Sequence, residues 1–429
     1  MTTQPPSSQP PAPASDAGVS RQRLARILFQ LHLPAIALGF GMGATVPVLP
    51  EFALSFGVGP EQASLVFAAT MLGGLTASVP IGYLLDKIGR RRILILGPVL
   101  TAVSAFLTAS AGSFELLLLY RFIGGWGTQM WTLSRLTMIA DTSASGSRGR
   151  MITSLLGIQH VGTLAGPLAG GLLAVTYGLE VAFVIQGVFA LVAMTPGFFA
   201  KETMPQGGGR RGGGGGTSAS AESFSWKALL AHPIPVMFLA QWLGMTARGG
   251  IVAGNTVFLY AAYAYEEADP ATLGVLSSLM AGAGIPLTLA AGYLMDRFGR
   301  KISIVPGLFV LGAGMAFLGV TSFFGLGFGW FIVGFVVMQT MNSLLTGSWQ
   351  VVGSDLAPPG GRGRFFAVGR TVTQAGFTTN PVVVSVCTAL SGFTLALGVV
   401  GAAGMLSSAV LAFFVPETNR RSSASGGKS

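Results

Sequence analysis

The sequence Gly82-Tyr83-Leu84-Leu85-Asp86-Lys87-Ile88-Gly89-Arg90-Arg91 occurs a second time as Gly292-Tyr293-Leu294-Met295-Asp296-Arg297-Phe298-Gly299-Arg300-Lys301, an offset of 210 residues. Each copy is a short charged segment between two long apolar segments. A membrane protein assembled from a duplicated unit has this pattern, and many transporters are built from two such repeats. The repeat therefore predicts a membrane transporter with two similar halves.

The composition supports an integral membrane protein and argues against several other classes. Hydrophobic residues make up 51% of the chain and charged residues 9%, whereas an ordinary soluble domain carries about 25% charged residues. The single cysteine, Cys387, excludes an intramolecular disulfide and a multi-cysteine metal site. The sequence predicts neither a metal nor another cofactor.

Twelve apolar segments are long enough to cross a bilayer as helices, which takes about 20 residues each. They are predicted at 27–50, 62–84, 93–112, 114–140, 151–177, 179–200, 234–262, 271–294, 302–324, 327–354, 365–389 and 391–415. With twelve spans, the Lys and Arg residues of the loops and tails all fall on one side. The positive-inside rule makes that side cytoplasmic and places both termini there. The basic residues behind the net charge of +10 thus determine how the spans are oriented in the lipid bilayer and can contact anionic lipid head groups. The charge does not indicate nucleic-acid binding.

We therefore predict an all-α membrane protein of the plasma membrane, with 12 transmembrane helices in two pseudo-symmetric six-helix halves. The predicted domains are a disordered cytoplasmic tail (1–20), the first half (21–200), a Gly-rich cytoplasmic linker (201–233), the second half (234–415) and a cytoplasmic tail (416–429). A second repeat supports the duplication, because Asp141 to Arg150 (D-x6-R-G-R) recurs as Asp355 to Arg364, at an offset of 214. Pro167 and Pro381 are matched at the same offset.

These motifs resemble those of the major facilitator superfamily over residues 21–415. The repeated loop motif is specific to that superfamily, and Arg121-x3-Gly125 in the fourth span resembles its second motif. The fifth-span pattern Gly162-x3-Gly166-Pro167-x2-Gly170-Gly171 is similar to the motif of the 12-span drug/proton antiporter branch. The resemblance implies transport of a small organic molecule by alternating access.

The resemblance also implies a set of gating residues. Asp86 would approach the start of the eleventh helix, and Arg90 would pair with Asp141 when the cytoplasmic side is closed. Asp296, Arg300 and Asp355 would repeat this in the second half. The glycine face at Gly162, Gly166, Gly170 and Gly171, with Pro167, is expected to seal the halves against the eighth span, where Gly282, Gly284 and Pro286 are the expected partners. The alternatives are that the loops only set topology and that the glycines only allow close packing.

Substrate binding and proton coupling are expected from polar groups inside the spans. Arg121, Arg135, Arg248 and Arg370 lie in apolar segments, where a charge is costly unless it faces a cavity or a partner. No Asp or Glu falls in the middle of a span, so the titratable candidates are His160, His32 and Glu51 at the outer mouth. Further cavity candidates are Gln159, Gln241, Asn255, Trp349, Gln350 and Gln374.

Three functions remain open from the sequence. The first is proton-coupled efflux of lipophilic compounds, which the fifth-span motif favours. The second is transport of organic anions by symport, exchange or facilitation, which the intramembrane arginines and the missing carboxylates favour. The third is a non-transporting sensor of the same fold, which the intact loop motifs in both halves disfavour. No nucleophile, metal or paired-carboxylate pattern predicts an enzyme, and we expect a monomer.

Overall fold

The computed structural model describes residues 32–142, 145–199, 232–252, 255–346, 348–357 and 362–417. Within these ranges the chain forms helices and connecting turns, and no strand. Some side chains inside the described helices, including 145–160, are likewise not described.

The first half consists of six spans. The first span is formed by Leu33–Thr45 and Leu49–Leu54, the second by Pro60–Ala63 and Leu65–Ile88, the third by Arg90–Ala109, the fourth by Phe114–Thr142, the fifth by Ser145–Tyr177, and the sixth by Val181–Met194 with the 3-10 helix Thr195–Phe199.

The second half repeats this order. The seventh span is formed by Ile234–Gly249 and Asn255–Ala264, the eighth by Pro270–Phe298, the ninth by Lys301–Phe324, and the tenth by Phe328–Leu344 and Ser348–Leu356. The eleventh and twelfth spans share the helix Arg362–Phe414, which turns at Ser391 and at Gly392, whose φ is 71°.

These bounds agree with the predicted spans to within a few residues wherever both ends are described. Pro60 and Pro270 each open a helix, where the missing N–H of proline has no helical partner to lose. Six described helices are long and apolar enough to cross a membrane, and three further apolar helices are shorter. The all-α fold with two six-helix halves, predicted from the sequence, is confirmed.

Three spans are interrupted where the sequence predicts continuous helices. The first span turns at Val46–Val48, the seventh leaves the α-helix at Gly250–Val252, and the tenth at Leu345–Thr346. Hydropathy averaged over a whole span does not reveal these breaks because each span remains apolar overall. In transporters, broken helices commonly line the substrate and ion sites.

Among the described residues, the hydrophobic core that joins the two halves lies at one end. We call the end that carries loops 86–91 and 296–301 the basic end, and the opposite end, with Pro60 and Pro270, the far end. At the far end, Phe52 and Val66 of the first half belong to the same buried cluster as Leu259 and Leu273 of the second half. Near the basic end, Ile81, Leu85 and Ile93 form a separate cluster within the first half.

Candidate gating and substrate site

The two motif loops have the same backbone turn. Gly89 and Gly299 follow the second and eighth spans with φ of 95° and 108°, a conformation that residues with a Cβ rarely adopt. Each turn brings the following arginine back over its own span. Arg90 Nη1 donates to the carbonyl of Leu85 at 3.0 Å, and Arg300 Nη1 donates to the carbonyl of Met295 at 2.9 Å. The sequence repeat is thus a structural repeat.

The charged groups of the first loop contact each other. Arg90 Nη2 lies 3.3 Å from Asp86 Oδ1, and the side chain of Asp86 is 65% exposed. The predicted partners Asp141, Asp296 and Asp355 have side chains outside the described residues. Pairing of Arg90 with Asp141, and its repeat in the second half, therefore stays a prediction.

Each loop is also tied to the last span of its own half. Arg91 donates to the carbonyls of Gly197 and Phe198 at 3.3 and 2.6 Å. Its repeat position, Lys301, donates to the carbonyl of Ala412 at 2.8 Å.

A residue that sequence reasoning missed completes the second loop. The Glu417 carboxylate accepts the backbone N–H groups of Arg300 and Lys301 at 2.9 and 3.0 Å. A carboxylate suits a helix start because the first N–H groups of a helix are unpaired and its dipole is positive there. A signal was available, because Glu-Thr recurs at 202–203 and 417–418, although Glu202 lies outside the described residues.

The fifth-span glycines pack mainly on the first span. A Cβ at Gly162, Gly166 or Gly170 would collide with the carbonyl oxygen of Ile36, Phe40 or Ala44, respectively. The expectation that this face packs on the eighth span is therefore wrong for these three glycines. Their spacing identifies a close helix contact but not which helix makes it.

Contact with the eighth span comes from neighbouring residues. A Cβ at Gly171 would collide with the carbonyl of Pro270, and one at Gly274 with the carbonyl of Pro167. The N–H of Leu168 donates to Ser278 Oγ at 3.0 Å. Of the expected partners, Gly282 does face the fifth span, since a Cβ there would lie 3.4 Å from Leu164 Cδ1, whereas a Cβ at Gly284 would meet Ser343 of the tenth span.

The same contact occurs between the second and eleventh spans. Ser64, at the repeat position of Gly274, donates to the carbonyl of Pro381, the repeat position of Pro167, at 3.2 Å. Further along, Gln374 Nε2 lies 3.9 Å from the sulfur of Met71. These contacts, like those of Gly171, run from the far end toward the middle of the bundle.

The intramembrane arginines have different surroundings. Arg121 is partly buried, forms no hydrogen bond to a described residue, and its Nε is buried without a partner. Arg135 is 5% exposed and its guanidinium lies 3.9 Å from the ring centre of Trp131. Arg248 donates through Nε to Asn342 Oδ1 at 2.9 Å. Arg370 is exposed on the eleventh span.

Arg248 and Asn342 each precede a helix break, in the seventh and tenth spans. Their hydrogen bond joins two broken spans at the level of their breaks. The amide of Asn342 is neutral and does not balance the charge of Arg248. No described carboxylate forms an ion pair with Arg248 either.

Asn380 of the eleventh span is a second residue that sequence reasoning missed. It is fully buried, accepts from Thr256 Oγ1 at 2.7 Å and donates to the carbonyl of Thr246 at 2.9 Å. Those partners lie on opposite sides of the seventh-span break, so one side chain bridges it. Only the offset of 214 from Gly166 could have drawn attention to this position.

The other candidates are dispersed. Gln241 is buried and donates to Thr373 Oγ1 at 2.7 Å and to the carbonyl of Gly369 at 3.2 Å. Trp349 is 6% exposed, with a buried Nε1 that has no partner. His32 is buried at the start of the first span, and Glu51 is half-buried near the negative charge of Asp269. The side chains of Gln159, His160, Asn255 and Gln350 lie outside the described residues.

The sequence profile of the Major Facilitator Superfamily matches residues 33–268 and 237–429. The chain is a member of the Major Facilitator Superfamily. It is a multi-pass transporter of the plasma membrane and not an enzyme.

Among curated superfamily members, the quinolone resistance protein NorA of Staphylococcus aureus strain MRSA252 is 26% identical over 279 residues, which cover 64% of this chain and 68% of that protein. Multidrug resistance protein 2 of Bacillus subtilis strain 168 is 25% identical over 298 residues, covering 68% of this chain and 72% of that protein. The chain therefore has drug-resistance transporters among its relatives.

Solved structures of the superfamily show the same fold. A D-xylose-proton symporter superimposes with a TM-score of 0.71 at 17% identity, covering 92% of this chain and 98% of that one. A POT family transporter in complex with a thioalcohol-conjugated peptide gives a TM-score of 0.70 at 12% identity, covering 90% and 95%. At these identities the likeness concerns the fold alone.

Proposed function

We propose that this transporter exports lipophilic organic compounds in exchange for protons, by alternating access. The observation that carries the proposal is the fifth-span motif. Its glycines bring the backbone of the fifth span into direct contact with the backbone of the first span. Gly171, at the end of the motif, contacts the eighth span of the other half. The similarity to proteins named for quinolone and multidrug resistance supports the same function.

The contacts between the halves support a conformation that is closed at the far end. Gly171 with Pro270, Ser278 with Leu168, and Ser64 with Pro381 all lie on that side or toward the middle. With the basic end in the cytoplasm, this conformation is the inward-facing one. The motif loops around Asp86 and Arg300 would then form their inter-half contacts in the opposite state.

Arg121 is the residue we expect to be essential. Its guanidinium places a positive charge inside the fourth span, with no hydrogen-bonding partner among the described residues. Placing a charge in an apolar span is energetically costly, and such charges occur where the group serves a substrate or a coupled proton. We expect Arg121→Ala to abolish transport at normal expression, whereas Arg92→Ala, which removes an exposed charge at the start of the third span, is the control and should retain it. Transport that survives Arg121→Ala would rule out this role.

A second candidate is organic-anion transport. It is favoured by Arg121 and Arg248, two intramembrane cations that no described carboxylate balances. Uncompensated positive charge attracts anionic substrates. In that case Arg248 would bind the substrate carboxylate and Asn342 would orient its guanidinium.

Inverted membrane vesicles holding an acid-inside gradient, read with a pH-sensitive dye, test the two candidates. Tetraphenylphosphonium and benzoate are added separately, with vesicles lacking the transporter as the control. Proton release on adding the cation supports drug/proton antiport and makes His160, His32 and Glu51 the coupling residues to substitute first. A response to benzoate alone would overturn the efflux proposal in favour of anion transport.

A further inference from the structure

A cleft of about 550 Å³ lies at the far end, apart from the intramembrane arginines. Its volume is within the range of small-molecule pockets, about 300–1,000 Å³. The second half provides most of its surface, from the end of the seventh span and the turns that follow the ninth and eleventh spans. Pro60 and Glu61 of the first half complete it.

Three hydroxyl groups in the cleft form a hydrogen-bonded chain. Thr321 Oγ1 can donate to the carbonyl of Leu318 at 2.7 Å. The Tyr260 hydroxyl lies 3.1 Å from Thr321 Oγ1 and 2.9 Å from the Tyr265 hydroxyl, and either oxygen of each pair can be the donor. The Tyr265 hydroxyl has a lone pair left over in this chain, with which it can accept a further hydrogen bond.

Thr388 adds an unsatisfied group to the same cleft. Four other threonines of its helix, at 371, 373, 378 and 379, each donate to the carbonyl four residues earlier. Thr388 is 8% exposed, lines the cleft, and its Oγ1 is buried without a hydrogen-bond partner. A buried polar atom left unpaired is costly, which points to a partner that arrives from outside the chain.

The charge and shape of the cleft identify the class of that partner. Glu61 is the one charged residue in its lining, and its carboxylate accepts no hydrogen bond from a described residue. The rings of Tyr263 and Phe393 contact each other at 5.6 Å between centroids and provide an aromatic wall. A carboxylate, hydroxyl groups that can accept hydrogen bonds and an aromatic wall together suit a cation that carries N–H donors and a ring.

We propose that this cleft binds a protonated aromatic amine. Its ammonium group donates to Glu61, Tyr265 and Thr388, and its ring packs against Tyr263 and Phe393. Because Glu61 belongs to the first half and the other four residues to the second, the site is complete only while the far end is closed. Binding there is independent of the arginines, so the proposed transport function and this site can fail separately.

Calorimetric titration of the full chain in lipid nanodiscs with phenethylammonium tests the proposal, and 2-phenylethanol is the neutral comparison. We expect Glu61→Gln to weaken phenethylammonium binding at least about ten-fold, as for loss of a hydrogen bond to a charged group. Glu266→Gln is the matched control, since Glu266 is an exposed carboxylate of the same end that does not line the cleft, and it should leave the affinity unchanged.

Thr388→Val provides a second variant that keeps the side-chain shape, and we expect about a five-fold weaker affinity from the lost hydrogen bond. Equal binding of phenethylammonium and 2-phenylethanol would overturn the proposal, because the charge would then not matter. Equal losses in Glu61→Gln and Glu266→Gln would also overturn it, as would displacement of the amine by millimolar sodium, which would show a general cation site.

Discussion

Gly166 and Asn380 occupy the same position in the two halves, 214 residues apart, yet they act in opposite ways. In the first half, the absence of a side chain at Gly166 lets the fifth span lie directly on the backbone of Phe40 and Ala44. In the second half, Asn380 inserts a side chain that bonds to Thr246 and Thr256 across the break in the seventh span.

The neighbouring repeat position shows what the halves have kept. A Cβ at Gly162 would collide with Ile36 O, and one at Gly376 would lie 2.8 Å from Trp242 O, so both halves need a glycine there. The duplicated helix pair has therefore kept its close backbone contact one turn away and diverged at the break. Where the first half packs, the second half forms hydrogen bonds, and Arg248 with Asn342 adds another polar contact beside the same break.

Gly166→Asn, which places the second-half residue in the first half, should have the largest effect. The new Cβ would collide with the Phe40 carbonyl and lie 3.0 Å from Ala44 N, and backbone atoms cannot move aside as a side chain can. Overpacking costs about 1–3 kcal/mol and occasionally more, so we expect little folded protein by gel filtration. Gly398→Ala is the control, because a Cβ there meets nothing within 4 Å. Normal folding of Gly166→Asn would show that the halves are interchangeable at this position.

Asn380→Ala should have the next largest effect. It leaves the Thr246 carbonyl and the Thr256 hydroxyl buried without Asn380, and each such group costs about 1–3 kcal/mol. We expect a lower unfolding temperature and slower transport, measured on purified protein and in vesicles. Thr371→Val, at an exposed threonine bonded only within its own helix, should change neither. If Asn380→Ala matched that control, the bridge would not stabilise the broken span.

Asp86→Asn tests whether the loop of the first half biases the conformation. It removes the negative charge beside Arg90, and for a coupling of about 1 kcal/mol we expect roughly five-fold slower turnover. In a Cys387→Ala background, a cysteine at Thr132 should become more accessible from the basic end and one at Gln62 less accessible from the far end. Asp296→Asn is the comparison in the other half. Unchanged labelling in both variants would leave Asp86 with a topological role only.

Glu417→Gln should have the smallest effect of the four. The amide oxygen can still accept one of the N–H groups of Arg300 and Lys301, but the charge at the helix start is lost. Such a charge contributes about 0.3–1 kcal/mol, so we expect a slightly lower unfolding temperature that depends on salt. Glu180→Gln, an exposed carboxylate with no described hydrogen bond, is the control. An effect as large as that of Asn380→Ala would mean that the cap does more than stabilise one helix end.

The sequence predicts the helices of this chain well because hydropathy and helix-starting prolines are local signals. The repeated loops are predictable for the same reason, since Gly89 and Gly299 impose the same turn. Which helix faces meet depends on residues far apart in the sequence. For this reason the sequence predicts the eighth span as the partner of Gly162, whereas the structure shows the first span. The bridge made by Asn380 joins residues more than one hundred positions apart, and no spacing within one span indicates it.

The cap at Glu417 also sets a practical limit for anyone attaching a reporter to this transporter. Glu417, which holds the second motif loop, comes three positions after the final helix ends at Phe414. A fluorescent protein joined at Val415 would leave the N–H groups of Arg300 and Lys301 without their carboxylate, whereas one joined after Thr418 would keep it. Moving the fusion point by three residues therefore decides whether the second motif loop keeps its cap.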